Sequence, residues 1–233
     1  VLTAHTLDDQ AETVLMKLLR GAWTDGLSGI HPILPVTDAT GKAVGKILRP
    51  LLCVLRAEIE AFLRDGGQPW REDSSNADLV HTRNRIRHEL LPLMRTYNPN
   101  LDQALANMAE LAREEEGRWQ VELARLLPQI LLPGKPVRGG GRAVSTATGG
   151  VAVAIEIDRL RGFDPALRRR VLRGAARQLG ARVSFEETAR LLALAGLQSH
   201  ATVTSRTGAV LQLTNGLFAE RSHRELRLSR TIS

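Results

Sequence analysis

The apolar positions of this chain change period as it proceeds, and each period predicts an element. Val1-Leu2-Thr3-Ala4 reads as the end of a buried strand running into the loop His5-Thr6-Leu7-Asp8. Asp9-Gln-Ala-Glu12 then has capping-box spacing, with Asp in place of Ser or Thr. Ala11, Val14, Leu15, Leu18 and Leu19 follow at helical spacing on one face, and Gly21 closes the helix. A strand passing straight into a capped helix is half of a βα unit, the building block of α/β sheets. Residues 22–46 are rich in Gly, Pro and Thr and predict loops with a hairpin around Asp38-Ala-Thr-Gly41. Arg56 to Leu63 is a second amphipathic helix, with Ile59, Phe62 and Leu63 on one face and Gly66-Gly67 as its stop.

Beyond a polar loop from Trp70 to Asp78, a basic helix is expected from Thr82 to about Arg95, softly broken at Pro92. Asn98-Pro99-Asn100 reads as a domain boundary, dividing the chain into residues 1–97 and 98–233. Leu101, Leu105, Met108 and Leu111 begin a long helix that continues through Leu126. Gly139–Gly141 and Gly149-Gly150 bracket a flexible stretch. Asp164-Pro165 is an N-cap followed by Pro at the first helical position, and Leu167, Val171, Ala175 and Leu179 form that helix's buried stripe. Ser184-x-x-Glu187 is another capping box, and the tail turns to short strands with a hairpin signal at Asn215-Gly216. The class expected is α/β: a partial parallel-sheet domain, then a mainly helical domain ending in short strands.

Composition narrows the partners. Apolar residues are 43% and charged residues 24%, an ordinary globular mix. No uncharged apolar run approaches the roughly 18 residues of a bilayer span, so no membrane partner is expected. A single cysteine, Cys53, excludes an internal disulfide framework and fits a reducing cytoplasm. The net charge of +7 points towards a polyanion. The eight aromatic residues are too few to support RRM-type base stacking.

Three constellations carry candidate chemistry. His5, Asp8, Asp9 and Glu12 stand where a strand hands over to a helix, the place where open α/β sheets bind ligands. Three carboxylates in five residues suit an ammonium group or, through oxygen ligands, a divalent metal. The same acids would also serve as N-terminal caps favoured by the helix dipole. Arg83, Arg85 and Arg87 follow, of which 83 and 87 share a helix face and 85 does not. They suit an extended polyphosphate, or a surface helix meeting Glu72 and Asp73. Residues 159–182 hold eight Arg and one Asp, with Arg170, Arg173 and Arg177 at helical spacing. One-sided charge of that kind suits a phosphate backbone; the alternative is a solvated face. No G-x-x-x-x-G-K-[ST], G-x-G-x-x-G or G-x-S-x-G motif is present in the sequence.

Ala4-His5-Thr6-Leu7-Asp8-Asp9-Gln10-Ala11-Glu12-Thr13-Val14-Leu15-Met16-Lys17-Leu18-Leu19-Arg20-Gly21 resembles the A-H-x-x-D-D-Q-A-E-T-x-L-x-x-L-L-R-G signature of tRNA(Ile)-lysidine synthetases. Arg49-Pro50-Leu51-Leu52, Arg56-Ala-Glu-Ile59, Trp70 to Asn76 and Arg83 to Pro92 follow in that family's order. The resemblance implies an N-type ATP-pyrophosphatase (PP-loop) fold and a helical second domain. It implies a ligase that adenylates the wobble cytidine of a CAU-anticodon tRNA(Ile) with ATP, after which L-lysine attacks and AMP leaves. By motif position His5 and Asp8 would lie near the ATP and cytidine, and Asp9 and Glu12 would hold the lysine. Arg83, Arg85 and Arg87, with Arg170, Arg173 and Arg177, would meet nucleotide or tRNA phosphates. The implied cofactors are ATP and Mg2+, with no metal held by the chain's own side chains and with a homodimer left open. The family's S-G-G-x-D-S loop is not among these 233 residues, so an N-terminally truncated chain, inactive alone, is expected. The alternatives are a non-catalytic tRNA-binding fragment and a related PP-loop enzyme. Sulfur-transfer members of that second group use cysteines, against which a single Cys argues.

Overall fold

A computed structural model describes residues 1–71, 80–136, 142–143 and 152–230. The Gly139–Gly141 and Gly149-Gly150 stretch, most of the Trp70–Asp78 loop and the acidic neighbours Glu72 and Asp73 lie outside the described residues. The chain forms two compact units, Val1–Trp119 and Gln120–Ser233, and its architecture is α/β.

In the first unit α1 (Leu7–Leu19) buries Ala11, Val14 and Leu15, the stripe expected from the sequence. These pack with Leu27, Ile86, Leu91, Leu101, Leu105 and Ala109 into one cluster. The short α2 (Thr24–Leu27) leads to an antiparallel hairpin, β1 (Ile33–Thr37) and β2 (Ala43–Leu48), turning where the Asp38–Gly41 signal stands. The strand expected at Val1–Ala4 is reduced to a parallel bridge from Leu2 to Leu48. Val1 and Leu2 are exposed, not buried. The physical reason is that a strand buries its faces only against neighbours, and the described residues give it only the end of β2.

Helix α3 (Arg56–Asp65) ends at Gly66, and Gly67 takes the left-handed φ of +64° that favours glycine. Its expected apolar face is not buried: Phe62 is largely exposed. The basic helix is one rod in three parts: α4 (Thr82–Arg85), a π-turn over Ile86–Leu90, and α5 (Leu91–Tyr97). The soft break expected at Pro92 takes this form because Pro92 has no N–H for the His88 carbonyl and its ring crowds it. Leu91 donates to Ile86, five residues back, so the register slips one residue just before the proline.

Helix α6 (Leu101–Ile130) is the long helix. In the second unit, β3 (Leu131–Pro133), β6 (Ala152–Glu156), β7 (Val210–Gln212), β8 (Leu217–Arg221) and β9 (Glu225–Arg230) form a five-stranded antiparallel sheet in the order β3-β6-β9-β8-β7. Two residue pairs, β4 (Lys135–Pro136) and β5 (Arg142–Ala143), make a small ribbon. The sheet is larger than the short tail strands expected, because β3 and β6 join it from earlier in the chain. Leu226 and Leu228 of β9 are fully buried, and they join one core with Val171, Leu172 and Ala175 of α8 (Pro165–Gln178) and Leu191 and Leu194 of α9 (Phe185–Leu194). The short α7 (Ile157–Gly162) links β6 to α8. Asp164 caps α8, its Oδ1 accepting from Ala166 at 2.8 Å and Leu167 at 3.0 Å. At the expected hairpin, Asn215 and Gly216 both take positive φ, 58° and 67°.

Candidate functional site

The entry into α1 sets the geometry of the site. Thr6, in extended conformation, caps the helix, and the box closes with Asp9: Thr6 N–H donates to Asp9 Oδ2 at 2.9 Å and Asp9 N–H to Thr6 Oγ1 at 3.4 Å. This corrects the Asp9–Glu12 box expected from spacing. The helix starts a turn earlier, with the Thr6 hydroxyl accepting from Asp9 N–H and the Asp9 carboxylate from Thr6 N–H. Glu12 is thereby released from capping, and it sits one turn on with no exposed surface.

Arg83 and Arg87, one turn apart on the basic helix, reach this pair. Arg83 donates to Asp9 Oδ1 at 2.7 Å and to Glu12 Oε2 at 2.7 Å. Arg87 donates through Nε to Glu12 Oε1 at 2.5 Å and through Nη2 to Glu12 Oε2 at 3.1 Å. Every carboxylate oxygen of Asp9 and Glu12 is thus engaged, by a guanidinium or by Thr6. Burial pushes the Asp9 carboxyl up, but the Thr6 hydrogen bonds and the two guanidiniums outweigh it and hold the group below the ordinary range. The Glu12 hydrogen bond raises Arg87 above its ordinary value against the opposing effect of burial.

Asp8 faces another way. Its Oδ2 accepts the N–H of Arg56 at 2.8 Å, fixing the start of α3, and its Oδ1 accepts from Arg95 at 3.2 Å. Arg95 is shared with Asp102 at 2.7 Å. His5 is half-buried, its Nδ1 3.0 Å from Thr3 Oγ1. Arg85 points away from the acids and pairs with Glu89 at 3.4 Å on the surface, as the sharing of a face by 83 and 87 alone requires. Arg170 is half-buried and Arg173 and Arg177 are exposed on α8, in the second unit. Sequence reasoning missed three participants: Thr6, Arg95 and Asp102. Thr6-x-x-Asp9 was a readable box, whereas the Arg95–Asp102 pair spans two helices and left no local signal.

Chemically the first unit offers a carboxylate pair held by two cations, suited to a ligand that carries an ammonium group, a phosphate or both. The carboxylates point at guanidiniums, and among the described residues no group of three or more His, Cys, Asp or Glu is set to hold a metal. Among the described residues no helix is long and apolar enough to cross a membrane.

Residues 1–94 match the model of the PP-loop domain, and residues 156–225 match that of the TilS substrate binding domain. The tRNA(Ile)-lysidine synthase of Solibacter usitatus is 38% identical over 232 residues, covering 98% of this chain and 46% of that protein. The tRNA(Ile)-lysidine synthase of Geobacter sulfurreducens is 35% identical over 236 residues, covering 100% of this chain and 44% of its own. That of Deinococcus radiodurans is 46% identical over 136 residues, 58% of this chain and 21% of its own. The chain spans about half the length of the first two relatives.

Proposed function

Because the chain belongs to the tRNA(Ile)-lysidine synthase family, with a PP-loop match followed by a TilS substrate-binding match, we propose that it works in an ATP-dependent ligase that joins L-lysine to the wobble cytidine of a CAU-anticodon tRNA(Ile). The observation that carries the reading is the joining of two separate motifs, Asp9 with Glu12 and Arg83 with Arg87, into one charged site. In this reading residues 1–97 carry the chemistry and residues 98–233 the RNA contacts, in the cytoplasm.

ATP would supply the adenylate that activates the cytidine. The S-G-G-x-D-S pyrophosphate loop is not among the 233 residues, so no step through ATP is derived from them, and Mg2+ would come with the nucleotide. What the chain's own residues do is bind and orient. Asp9 and Glu12 attract the lysine ammonium, which must share or displace an arginine to reach them. Arg83 or Arg87, once displaced, turns its guanidinium to phosphate. His5 and Asp8 border the same end of α1, with Asp8 holding Arg56 and Arg95 in place.

The test is a chimera in which residues 1–233 replace the matching stretch of the Solibacter usitatus relative, assayed for lysine transfer to tRNA(Ile). Lysidine formation is expected. Asp9→Asn and Glu12→Gln should each raise the lysine KM about ten- to hundredfold, the loss of a charge-assisted bond of about 1.5–3 kcal/mol. Adenylation of the tRNA should persist. A lysine KM unchanged in both variants would leave the pair as anchors of the arginines. tRNA binding without lysidine would favour a non-catalytic RNA-binding module. Gel filtration of the chimera with light scattering tests the homodimer.

A further inference from the structure

At the other end of α1 from the acidic pair, three cations converge on one loop. Lys17 Nζ donates to the Gly29 carbonyl at 3.2 Å, and Arg49 Nη1 donates to that of His31 at 2.6 Å. Arg113 Nη1 donates to Ser28 at 2.9 Å and Ile30 at 3.4 Å. Four successive carbonyls, 28 to 31, thus face three positive side chains. The loop is held so from behind: buried Gln10 accepts the N–H of Ile30 at 2.6 Å. Gly29, at φ +63°, lies so close to the Gln10 amide that a Cβ would sit 2.7 Å from its oxygen.

The carbonyls explain why the loop keeps its shape, and Lys17 also suits the negative end of the α1 dipole. They do not explain the charge. Among the described residues none of the three cations has a carboxylate within ion-pair distance, whereas Arg83, Arg87 and Arg95 each have one. Each spends one nitrogen on the loop and keeps further N–H donors, and Arg49 Nε is buried with no partner. The electrostatics agree with the geometry. Burial, then Arg113, Lys17 and Arg49, press the His31 imidazole below its ordinary value, against a weaker pull from Asp25. Burial also lowers Arg113, despite Glu110 and Glu114. Like charges gathered with no carboxylate at ion-pair distance focus a field that an anion would relieve.

We propose that Lys17, Arg49 and Arg113, around the exposed His31, form a phosphate-binding site. Lys17 lies eight residues beyond Asp9 on α1, about 12 Å at 1.5 Å per residue, so the site is separate from the acidic pair. The phosphate is a group of an RNA backbone or of a nucleotide, and the test separates the two. The proposal does not rest on lysidine formation, since pyrophosphate itself is the first probe.

Pyrophosphate, ATP and tRNA are titrated into the chain and into Lys17→Gln, the Arg49→Gln/Arg113→Gln pair and the charge-keeping Arg49→Lys/Arg113→Lys pair, with thermal melts to confirm folding. The Gln variants should weaken pyrophosphate binding about tenfold or more, and the Lys pair much less. If the phosphate is RNA's, the slope of log K against log salt for tRNA should flatten by about 0.7–0.9 per lost contact, with ATP binding unchanged. If it is the nucleotide's, ATP binding should fall and the tRNA slope should stand. Lys17→Gln, which leaves both arginines on the loop, keeps the test valid should the Gln pair unfold. Pyrophosphate, ATP and tRNA binding all equal to wild type in a folded Lys17→Gln protein, or no binding of any probe by wild type, would overturn the proposal.

Discussion

Glu12 has no contact with water, and two guanidiniums stand where its hydration would be. The Arg83 side chain keeps 40% of its exposure and that of Arg87 20%, so the pairing is worth less than a fully buried one, whose breaking costs about 3–5 kcal/mol. Glu12→Gln should therefore destabilise the first unit by about 2 kcal/mol, read as a lower urea midpoint at constant slope. Arg87→Met should cost a similar amount, and the double variant less than the sum of the two. Strict additivity in that cycle would mean the ion pair contributes nothing to folding. The residue types at this site were legible in the sequence, and so was their chemistry. Their partners were not, because Glu12 and Arg83, 71 positions apart, are brought together only by tertiary packing.

Elements with their own punctuation were the most legible. Ser184 caps α9 with Glu187 as its box partner, at 2.8 and 3.1 Å, as the spacing requires. The structure adds Thr214, whose N–H and hydroxyl both donate to Glu187 Oε1, at 2.8 and 2.7 Å. Burial pushes this carboxyl up, but the Ser184 and Thr214 bonds bring it down from 4.5 to about 2. A depressed carboxylate stabilises the fold above its unfolded value and ceases to as pH falls through the folded one. The contribution, about 3 kcal/mol at neutral pH for a shift of that size, should be present above pH 4.5 and fade towards pH 2. Unfolding of wild type and Glu187→Gln between pH 7 and pH 2 checks this: the two curves should converge in that window, and a constant gap would contradict it. The box at α1 was misread by one turn because Asp9-x-x-Glu12 and Thr6-x-x-Asp9 are both valid by spacing. Only the backbone conformation of Thr6 selects between them.

For the molecule as a whole, charge is the quantity that composition sets. The excess of seven positive charges equals that of residues 159–182, where α8 carries Arg170, Arg173 and Arg177. None of these three is without a partner in the structure, so their effect on RNA is argued from charge and position alone. Replacing all three by Gln should flatten the salt dependence of tRNA binding by about two units, at about 0.7–0.9 per contact. Titration at several salt concentrations reads this directly, and an identical slope would return the helix face to plain solvation. A different slope change from the Lys17, Arg49 and Arg113 variants would show that the two basic surfaces act separately.

By itself the sequence determined what local rules control: the stripes of α1 and α8, the caps at Asp164 and Ser184, the hairpin turns near Asp38 and Asn215, and the residues with which a site could be made. Neighbours in the chain settle such features through dihedral preference and helical period. Tertiary structure decided which acids meet which arginines. It also decided that Leu131–Pro133 and Ala152–Glu156 join the tail strands in one sheet, and that three cations crowd onto residues 28–31. Each of these depends on groups brought together from positions far apart in the chain, and their pairing appears only when burial removes water as the competing partner.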